Sequence, residues 1–338
     1  MARRMAMTHP IGRALPRRRA VGAALGLALA GGPARGAAPW QPLRPVTLVV
    51  PYAAGGTADT LARPLAEGMA QRLGVPVVVE NRPGAQTAIG AEAVARGPAD
   101  GHRLLLSATA TLTVNPLLRR DLPYRAEDFA PVALLATLPY AVAVRDGLPA
   151  ALPDFIAHVR AFPGRVSLGH LGPGSSLHLA GALIAAGLGL AFNEVAYRSD
   201  GLAANDLMAG ILDAAVLGGP AALAAARTGR AHLVAWTAAA RLPGRPEEPV
   251  FAEAAPGLVA TGWLGLHAPA ATPPAAIARL NAAAAGTLHA DPLLRERLQD
   301  QGLFLAEAGP PAAFAAHLAQ ERERLAALLA RIGLRPGP

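Results

Sequence analysis

The sequence predicts an α/β protein in which mainly parallel sheets are flanked by helices. Short apolar runs with the length of buried strands alternate with helical patterns along the chain after Pro42. Turns rich in Gly, Ser and Thr join several of these strands to the helix that follows. At 338 residues and 52% hydrophobic composition, the chain is long enough for two domains, each with a sizeable core.

The first part of the alternation is a βαβαβ unit. Its strand-like runs are 46–50, 75–80 and 104–107. Its helical segments are 61–73, where apolar residues recur every four positions, and 87–96. Pro64 removes one helical hydrogen bond, so it predicts a kink or a late start of the first helix.

A second α/β run begins near Pro131 and continues to the end of the chain. Its predicted strands are 132–135, 141–144, 166–169, 194–196, 214–217, 233–237 and 263–267. Its predicted helices are 154–162, 177–186, 202–210, 221–228, 275–289 and 310–332, with Asp154 as an N-cap of the first. The two runs predict two analogous domains.

The amino terminus predicts an export signal, residues 1–38. Basic Arg17-Arg18-Arg19 precede an apolar stretch, 20–32, that is too short to anchor the chain in a bilayer. Both twin-arginine and Sec export are open, and cleavage is expected after Gly36 or Ala38. The mature protein is therefore expected in the periplasm.

Charge and composition exclude several classes of protein. The net charge of +8 arises from seven arginines in residues 1–36; the remainder has 24 basic and 23 acidic residues, which argues against nucleic-acid binding. The absence of cysteine excludes disulfides, zinc–cysteine sites and thiol nucleophiles. No lysine, phosphate-loop pattern or G-x-S-x-G elbow is present, which argues against nucleotide binding and serine hydrolysis.

Four turns at strand ends predict an anion site. They are "PYAAGGTAD" (51–59), "NRPGAQTAIG" (81–90), "SATAT" (107–111) and "GPGSSLH" (172–178). Ligands of parallel sheets bind outside the carboxyl ends of strands. The first N–H groups of the helices that follow lack internal partners and carry partial positive charge, so converging helix termini hold an anion without lysine.

Several polar residues in these turns have two interpretations. Ser175 or Ser176 is either a helix N-cap or a hydroxyl contact to a ligand, and Asp59 either caps its helix or orients the glycine turn. His178 follows the serines too closely in sequence to form a nucleophile–base pair. His170 and His178 are eight positions apart with no carboxylate cluster nearby, which predicts no metal site.

Together, these motifs resemble the Bug family of solute receptors, the extracytoplasmic binding proteins of tripartite tricarboxylate transporters. The resemblance extends from about Val46 to Leu334. The motifs that carry it are "PYAAGGTAD", "VVVENRPGAQTAIGAEAVA", "PADGHRLLLSATATLTVNP", "DFAPVALLAT", "GPGSSLHLAGAL", "VAYRSDGLAANDLMAGILD" and "GWLGLHAPAATPP".

The resemblance implies a two-lobed type II periplasmic-binding fold with the ligand cleft between the lobes. Lobe 1 would comprise 43–138 and 260–338, and lobe 2 would comprise 139–259. It implies a monomer without cofactor, metal or catalytic residues, which binds a small organic carboxylate and delivers it to a membrane permease.

Family pockets hold one carboxylate largely through backbone amides and waters at the first two turns. Carried over to this chain, the resemblance implicates residues of all four turns and of the "YRS" segment. They are Tyr52, Ala53, Gly55, Gly56, Asp59, Gly84, Ala85, Gln86, Thr109, Ser175, Ser176, His178, Tyr197 and Arg198.

The chain departs from the family pattern at several of these positions. Tyr197-Arg198-Ser199 replaces a usual Tyr-Lys-Gly, Gln86-Thr87 replaces glycines, and His170 replaces a serine. Leu217 replaces an aspartate that holds ligand ammonium groups, which argues against an α-amino acid. The far end of the pocket is expected to be mostly apolar or neutral and polar, which favours an aromatic or apolar monocarboxylate over a tricarboxylate, although Arg198 leaves room for a second acid group. An exported sensor and an exported enzyme on the same fold are the alternatives.

Overall fold

A computed structural model describes residues 40–331 of the chain, so the predicted export signal lies outside the described residues. The strands are β1 Val46–Val50, β2 Val77–Asn81, β3 Arg103–Ala108, β4 Phe129–Arg145, β5 Ser167–His170, β6 Asn193–Ala196, β7 Ala214–Gly218, β8 Ala231–Trp236, β9 Thr261–Pro269 and β10 Phe304–Leu305. The helices are α1 Thr57–Leu73, α2 Ala88–Ala95, α3 Asn115–Leu118, α4 Leu152–Ala161, α5 Ser176–Leu188, α6 Asp200–Met208, α7 Gly219–Arg227, α8 Phe251–Ala254, α9 Pro274–Ala290, α10 Pro292–Gln299 and α11 Pro311–Arg331. No helix within 40–331 combines the length and apolarity needed to cross a bilayer.

The strands form one continuous, mixed arrangement in the order β2-β1-β3-β9-β4-β7-β5-β6, with β8 and β10 also paired to β4. The predicted parallel character holds at both ends, where β1 pairs with β2 and β3, and β5 pairs with β6 and β7. The central strands β4 and β9 run antiparallel to their neighbours. Because parallel strands share the direction of their carboxyl ends, the turns after β1, β2 and β3 meet at one edge.

The strand β4 connects the two ends of this arrangement. Its first part, Phe129–Pro139, pairs with β9, and its second part, Tyr140–Val144, pairs with β7. The prediction of two separate strands, 132–135 and 141–144, was therefore wrong. Pro139 interrupts the apolar pattern in the sequence, but it lies where β4 changes partners, a position at which a strand tolerates proline.

The first helix packs as its apolar pattern predicts. Leu61, Leu65 and Met69 are fully buried in the core, and α1 is helical from Thr57 onward. Its start is therefore not delayed by Pro64, which lies in the helix interior. Since the preceding turn ends at Gly56, the N-terminus of α1 is fixed directly beside the end of β1.

Two predictions about the later helices need correction. Asp154 is not an N-cap: α4 begins at Leu152 because Pro153 fits the first helical turn, and Asp154 lies within that turn. The sequence interpretation also missed α10, whose start is capped by the carboxylate of Asp291, which accepts hydrogen bonds from Leu293 N–H and Leu294 N–H. The dipeptide Asp291-Pro292 is a recognisable helix start.

Candidate functional site

A cavity of about 760 Å³ lies where the four turns converge. This volume is within the range of small-molecule pockets in proteins. Most of its lining residues are apolar or neutral and polar, and the charged ones among the described residues are Arg198 and Asp200. The predicted site residues in its wall are Tyr52, Ala53, Gly56, Gly84, Ala85, Gln86, Thr109, Ser175, Ser176, Tyr197 and Arg198.

Of the helix N-termini in the cavity wall, those of α1 and α5 carry no acidic lining residue, whereas that of α6 begins with Asp200. Gly56 and Thr57 begin α1, and Ser175 and Ser176 begin α5. The Ser175 Oγ accepts a hydrogen bond from His178 N–H at 3.1 Å, so Ser175 is the N-cap of α5. The free N–H groups of the two first turns give the cavity partial positive charge without a lysine.

The turn after β2 adopts a conformation that the sequence does not reveal. Ala85, Gln86 and Thr87 have φ of 46°, 53° and 78°, all in the left-handed region although none is glycine. Such strained residues cluster at ligand sites, and successive N–H groups in a turn form anion-binding concavities.

Side chains from the segment after β3 hold this left-handed turn in place. The Asn115 Nδ2 donates to the Gln86 carbonyl at 2.7 Å, and the Arg119 Nη1 donates to the Ala85 carbonyl at 3.0 Å. The Gln86 amide in turn donates to the Pro173 carbonyl, next to the N-terminus of α5. The turn after β2 is therefore tied to the segment after β3 and to the turn after β5.

Asp59 lies behind the cavity wall and organises the first turn. Its carboxylate accepts hydrogen bonds from Gly55 N–H at 3.0 Å, Arg63 Nε at 2.8 Å and Asn81 Nδ2 at 3.1 Å. Burial alone raises the pKa of Asp59, but these hydrogen bonds outweigh burial and hold the pKa below its usual range. Of the two predicted roles, Asp59 therefore orients the glycine turn.

Replacing Asp59 by Asn should lower the free energy of unfolding by about 1.5–3 kcal/mol at pH 7, because a buried charged acceptor is lost. Since the folded-state pKa is depressed, this stabilisation is present above the unfolded pKa of about 3.9 and is lost as pH falls through the folded value. Urea unfolding at several pH values measures both effects. A difference between wild type and Asp59→Asn that persists undiminished at acid pH would contradict this role. The surface variant Asp146→Asn is the control and should remain near wild type.

Three tyrosines add neutral, largely apolar surface to the cavity. Burial raises the pKa of Tyr52, and burial raises the pKa of Tyr140 to about 12. Burial and the nearby Asp206 carboxylate raise the pKa of Tyr197 to about 12, and its hydroxyl donates to Asp206 at 2.8 Å. All three rings are therefore uncharged at neutral pH, and the Tyr197 hydroxyl is already engaged.

His170 and His178 meet behind the α5 turn, with ring centroids 4.8 Å apart. The Glu194 carboxylate lies 3.5 Å from His178 Nε2 and 4.0 Å from His170 Nε2, so the expectation that no carboxylate joins the histidines was wrong. The strand-to-helix turn folds back and brings the two rings beside β6, which carries Glu194.

The donor set favours a hydrogen-bonded network over a metal at this cluster. Gly172 N–H and Gly174 N–H donate to Nδ1 of His170 and His178 at 3.0 and 3.1 Å. A neutral imidazole whose Nδ1 accepts carries its proton on Nε2, and the Nε2 of His178 lies 3.5 Å from the Glu194 carboxylate. A metal at Nε2 needs that lone pair free and a second-shell acceptor at Nδ1, and both conditions fail.

Comparisons with known proteins agree with this geometry. Residues 61–334 match the family model described as the tripartite tricarboxylate transporter family receptor. The chain is 36% identical to protein BugT of Bordetella pertussis over 259 residues, which is 75% of this chain and 79% of BugT.

This chain belongs to that receptor family. The solved structure of periplasmic binding protein BugD superimposes on this receptor with a TM-score of 0.82 and 31% identity, covering 88% of this chain and 100% of BugD. An R. palustris protein solved with adipate gives a TM-score of 0.83 at 30% identity, covering 88% and 99%. The Bug resemblance and the two-lobed periplasmic-binding fold are confirmed, and the receptor is a solute-binding protein.

The receptor brings eleven of the fourteen predicted residues to one cavity. The other three, Gly55, Asp59 and His178, lie outside the wall: Asp59 holds Gly55, and His178 holds the α5 turn through Ser175 and Gly174.

Sequence interpretation missed other residues of the same wall. They include Thr57, Asn115, Tyr140, Asp200 and Trp263. Asn115 follows β3 and Tyr140 lies within β4, and no glycine-rich turn marks either position in the sequence. Thr57 and Asp200 lie within motifs that carry the family resemblance. An acidic residue such as Asp200 next to a predicted anion site is a signal in the sequence that could have identified it.

Proposed function

We propose that this receptor captures a small organic carboxylate in the 760 Å³ cavity and delivers it to the membrane permease of a tripartite tricarboxylate-type transporter. The observation that carries the proposal is the convergence of two helix N-termini and a left-handed turn on one cavity. Backbone N–H groups in a water-poor cleft bind carboxylates through strong, charge-assisted hydrogen bonds. The relative solved with adipate supports a carboxylate ligand.

The ligand would be enclosed by two lobes, 43–138 with 260–338 and 139–259. The change of partner along β4 at Pro139–Tyr140 supports a hinge at the first boundary. Contacts of Thr57 with Asp200 and of Gln86 with Pro173 join the proposed lobes across the cavity, so this arrangement corresponds to a closed cleft. Hinge closure of this kind is the usual ligand response of periplasmic binding proteins.

The cavity chemistry favours a ligand with an apolar or aromatic body. Its wall contains Tyr52, Tyr140, Leu138 and Leu264, with Arg198 as its one cationic residue among those described. A tricarboxylate would require more cationic partners. Leu217 is fully buried in the core of β7 and lies outside the cavity wall, so the prediction about an α-ammonium group rests on the family resemblance.

The remaining parts of the proposal concern how the receptor works. It is exported by the signal in residues 1–38, acts as a monomer without cofactor or metal, and binds its ligand without turning it over. The hydroxyl of Ser175, which is near His178 in sequence, accepts the backbone N–H of His178 as an N-cap.

A thermal-shift screen of organic carboxylates on the purified, ligand-free protein tests this proposal. Ligand at 100-fold above Kd should stabilise the folded state by about 2.7 kcal/mol. Recovery of the added compound unchanged would support a receptor, and its conversion would favour an exported enzyme. If no aliphatic or aromatic carboxylate raises the melting temperature, the proposal fails.

A further inference from the structure

Asp200 is a buried acid in the wall of a cavity that otherwise suits an anion. It is 6% exposed and is the only acidic lining residue among those that the structure describes. Its Oδ2 accepts a hydrogen bond from Thr57 Oγ1 at 2.9 Å, and its Oδ1 accepts one from Gly201 N–H at 3.0 Å.

Close backbone on both sides fixes the position of this carboxyl group. A Cβ atom on Gly56 would lie 3.4 Å from Asp200 Oδ1, and a Cβ on Gly218 would lie 3.0 Å from Oδ2. The acid therefore occupies a slot between the first turn of α1 and the end of β7, where a larger side chain at either glycine would displace it.

The charge of Asp200 is not neutralised by a cation. Its polar partners are the Thr57 hydroxyl and backbone N–H groups, and no ion pair involves it within 40–331. Arg198 shares the cavity wall, but its side chain is exposed. A buried carboxylate without a cation repels a second negative charge strongly, because little solvent screens it.

Building on the proposed carboxylate-binding function, we propose that Asp200 is a specificity-determining residue that excludes a second negative charge from its end of the cavity. The receptor then prefers a monocarboxylate to the dicarboxylate of matched length. The single carboxylate of the ligand lies away from Asp200, at the 84–87 turn and the N-terminus of α5, and the end that meets Asp200 is neutral or donates a hydrogen bond.

The exclusion should increase with pH. Burial raises the pKa of Asp200, so the group ionises at higher pH than an ordinary aspartate, and its repulsion of a second carboxylate grows as it ionises. The neighbouring Tyr52 and Tyr197 stay neutral as Asp200 ionises, because burial raises the pKa of both hydroxyls. On α1, the Asp59–Arg63 pair is directed toward Gly55 and Asn81.

Calorimetric titration with matched ligand pairs tests the proposal. The pairs are hexanoate with adipate, butyrate with succinate, and benzoate with terephthalate. Wild type should bind the monocarboxylate of a pair at least about tenfold more tightly than the dicarboxylate once Asp200 is ionised, with a ratio that widens as rising pH ionises Asp200. Asp200→Asn should bind the dicarboxylate at least about tenfold more tightly than wild type does, change monocarboxylate affinity less than about threefold, and lose the pH dependence.

Asp146→Asn removes one exposed negative charge outside the cavity and should keep the wild-type ratio. Asp200→Ser is a second neutral variant in case Asp200→Asn does not fold, and the wild-type pH dependence tests the idea without any variant. A ratio that is independent of pH in wild type, or unchanged in the folded Asp200 variants, overturns the role of Asp200 while leaving carboxylate binding intact. A receptor that binds none of the six compounds and no other carboxylate of the thermal-shift screen contradicts the proposed function itself.

Discussion

Gly56→Val should abolish the stabilisation of the receptor by carboxylates while the unliganded protein remains folded. Gly56 is the N-cap of α1, and a Cβ atom added to it would lie 3.4 Å from Asp200 Oδ1. The γ-methyl groups of valine extend about 1.5 Å beyond Cβ, so they would enter the cavity or hold the cleft open. We expect an affinity loss of at least about 100-fold, or about 2.8 kcal/mol.

Gly56→Ala is the matched control for this substitution. The φ of Gly56 is −86°, so neither alanine nor valine is strained there, and both lose the N-cap preference for glycine at a cost of about 1 kcal/mol. Only valine adds bulk beyond ordinary contact, and alanine should therefore retain most of the ligand response. Titration calorimetry and circular dichroism measure binding and folding separately. If a folded Gly56→Val variant bound the ligand with wild-type affinity, the turn before α1 would not be part of the ligand site.

Gly262→Ala should both destabilise the receptor and weaken ligand binding. A Cβ on Gly262 in β9 would lie 2.0 Å from the hydroxyl oxygen and 2.8 Å from Cζ of Tyr140 in β4. Tyr140 is 5% exposed and lines the cavity, so its ring has to move toward the ligand or push the strands apart. Overpacking of this kind costs about 1–3 kcal/mol, and we expect at least a tenfold loss of carboxylate affinity, about 1.4 kcal/mol.

Gly309→Ala serves as the control, because a Cβ there meets its nearest neighbour, Ala313 Cβ, at an ordinary 3.6 Å. It should change the free energy of unfolding by less than about 0.5 kcal/mol. Chemical denaturation and calorimetry on both variants give the comparison. Equal stability of Gly262→Ala and Gly309→Ala would show that Tyr140 does not fill the space beside β9.

The elements of the fold were predictable where their signal is local. β1 has the predicted bounds, Val46–Val50, and the four-residue stripe of α1 is buried as expected. Apolar periodicity and turn residues are properties of a few neighbouring positions, so one sequence suffices to read them. β4 was misread because its continuity depends on two sets of partner strands, not on its own residues.

The site was predictable in outline, because glycine-rich turns at strand ends are also local. The left-handed conformation of Ala85, Gln86 and Thr87 was not, since Asn115 and Arg119 impose it from about thirty positions away. The role of Asp200 likewise depends on Thr57, which is 143 positions earlier in the chain. In the sequence, Ser199-Asp200 has the pattern of an ordinary helix start.

The most direct test of carboxylate capture is a crystal structure of the receptor with the best ligand from the screen. We predict a ligand carboxylate inside the cavity, with its oxygens within about 3.2 Å of backbone N–H groups in the 84–87 turn or the first turn of α5. A ligand bound elsewhere on the receptor, or one whose carboxylate faces solvent while these N–H groups stay unbonded, would contradict the account.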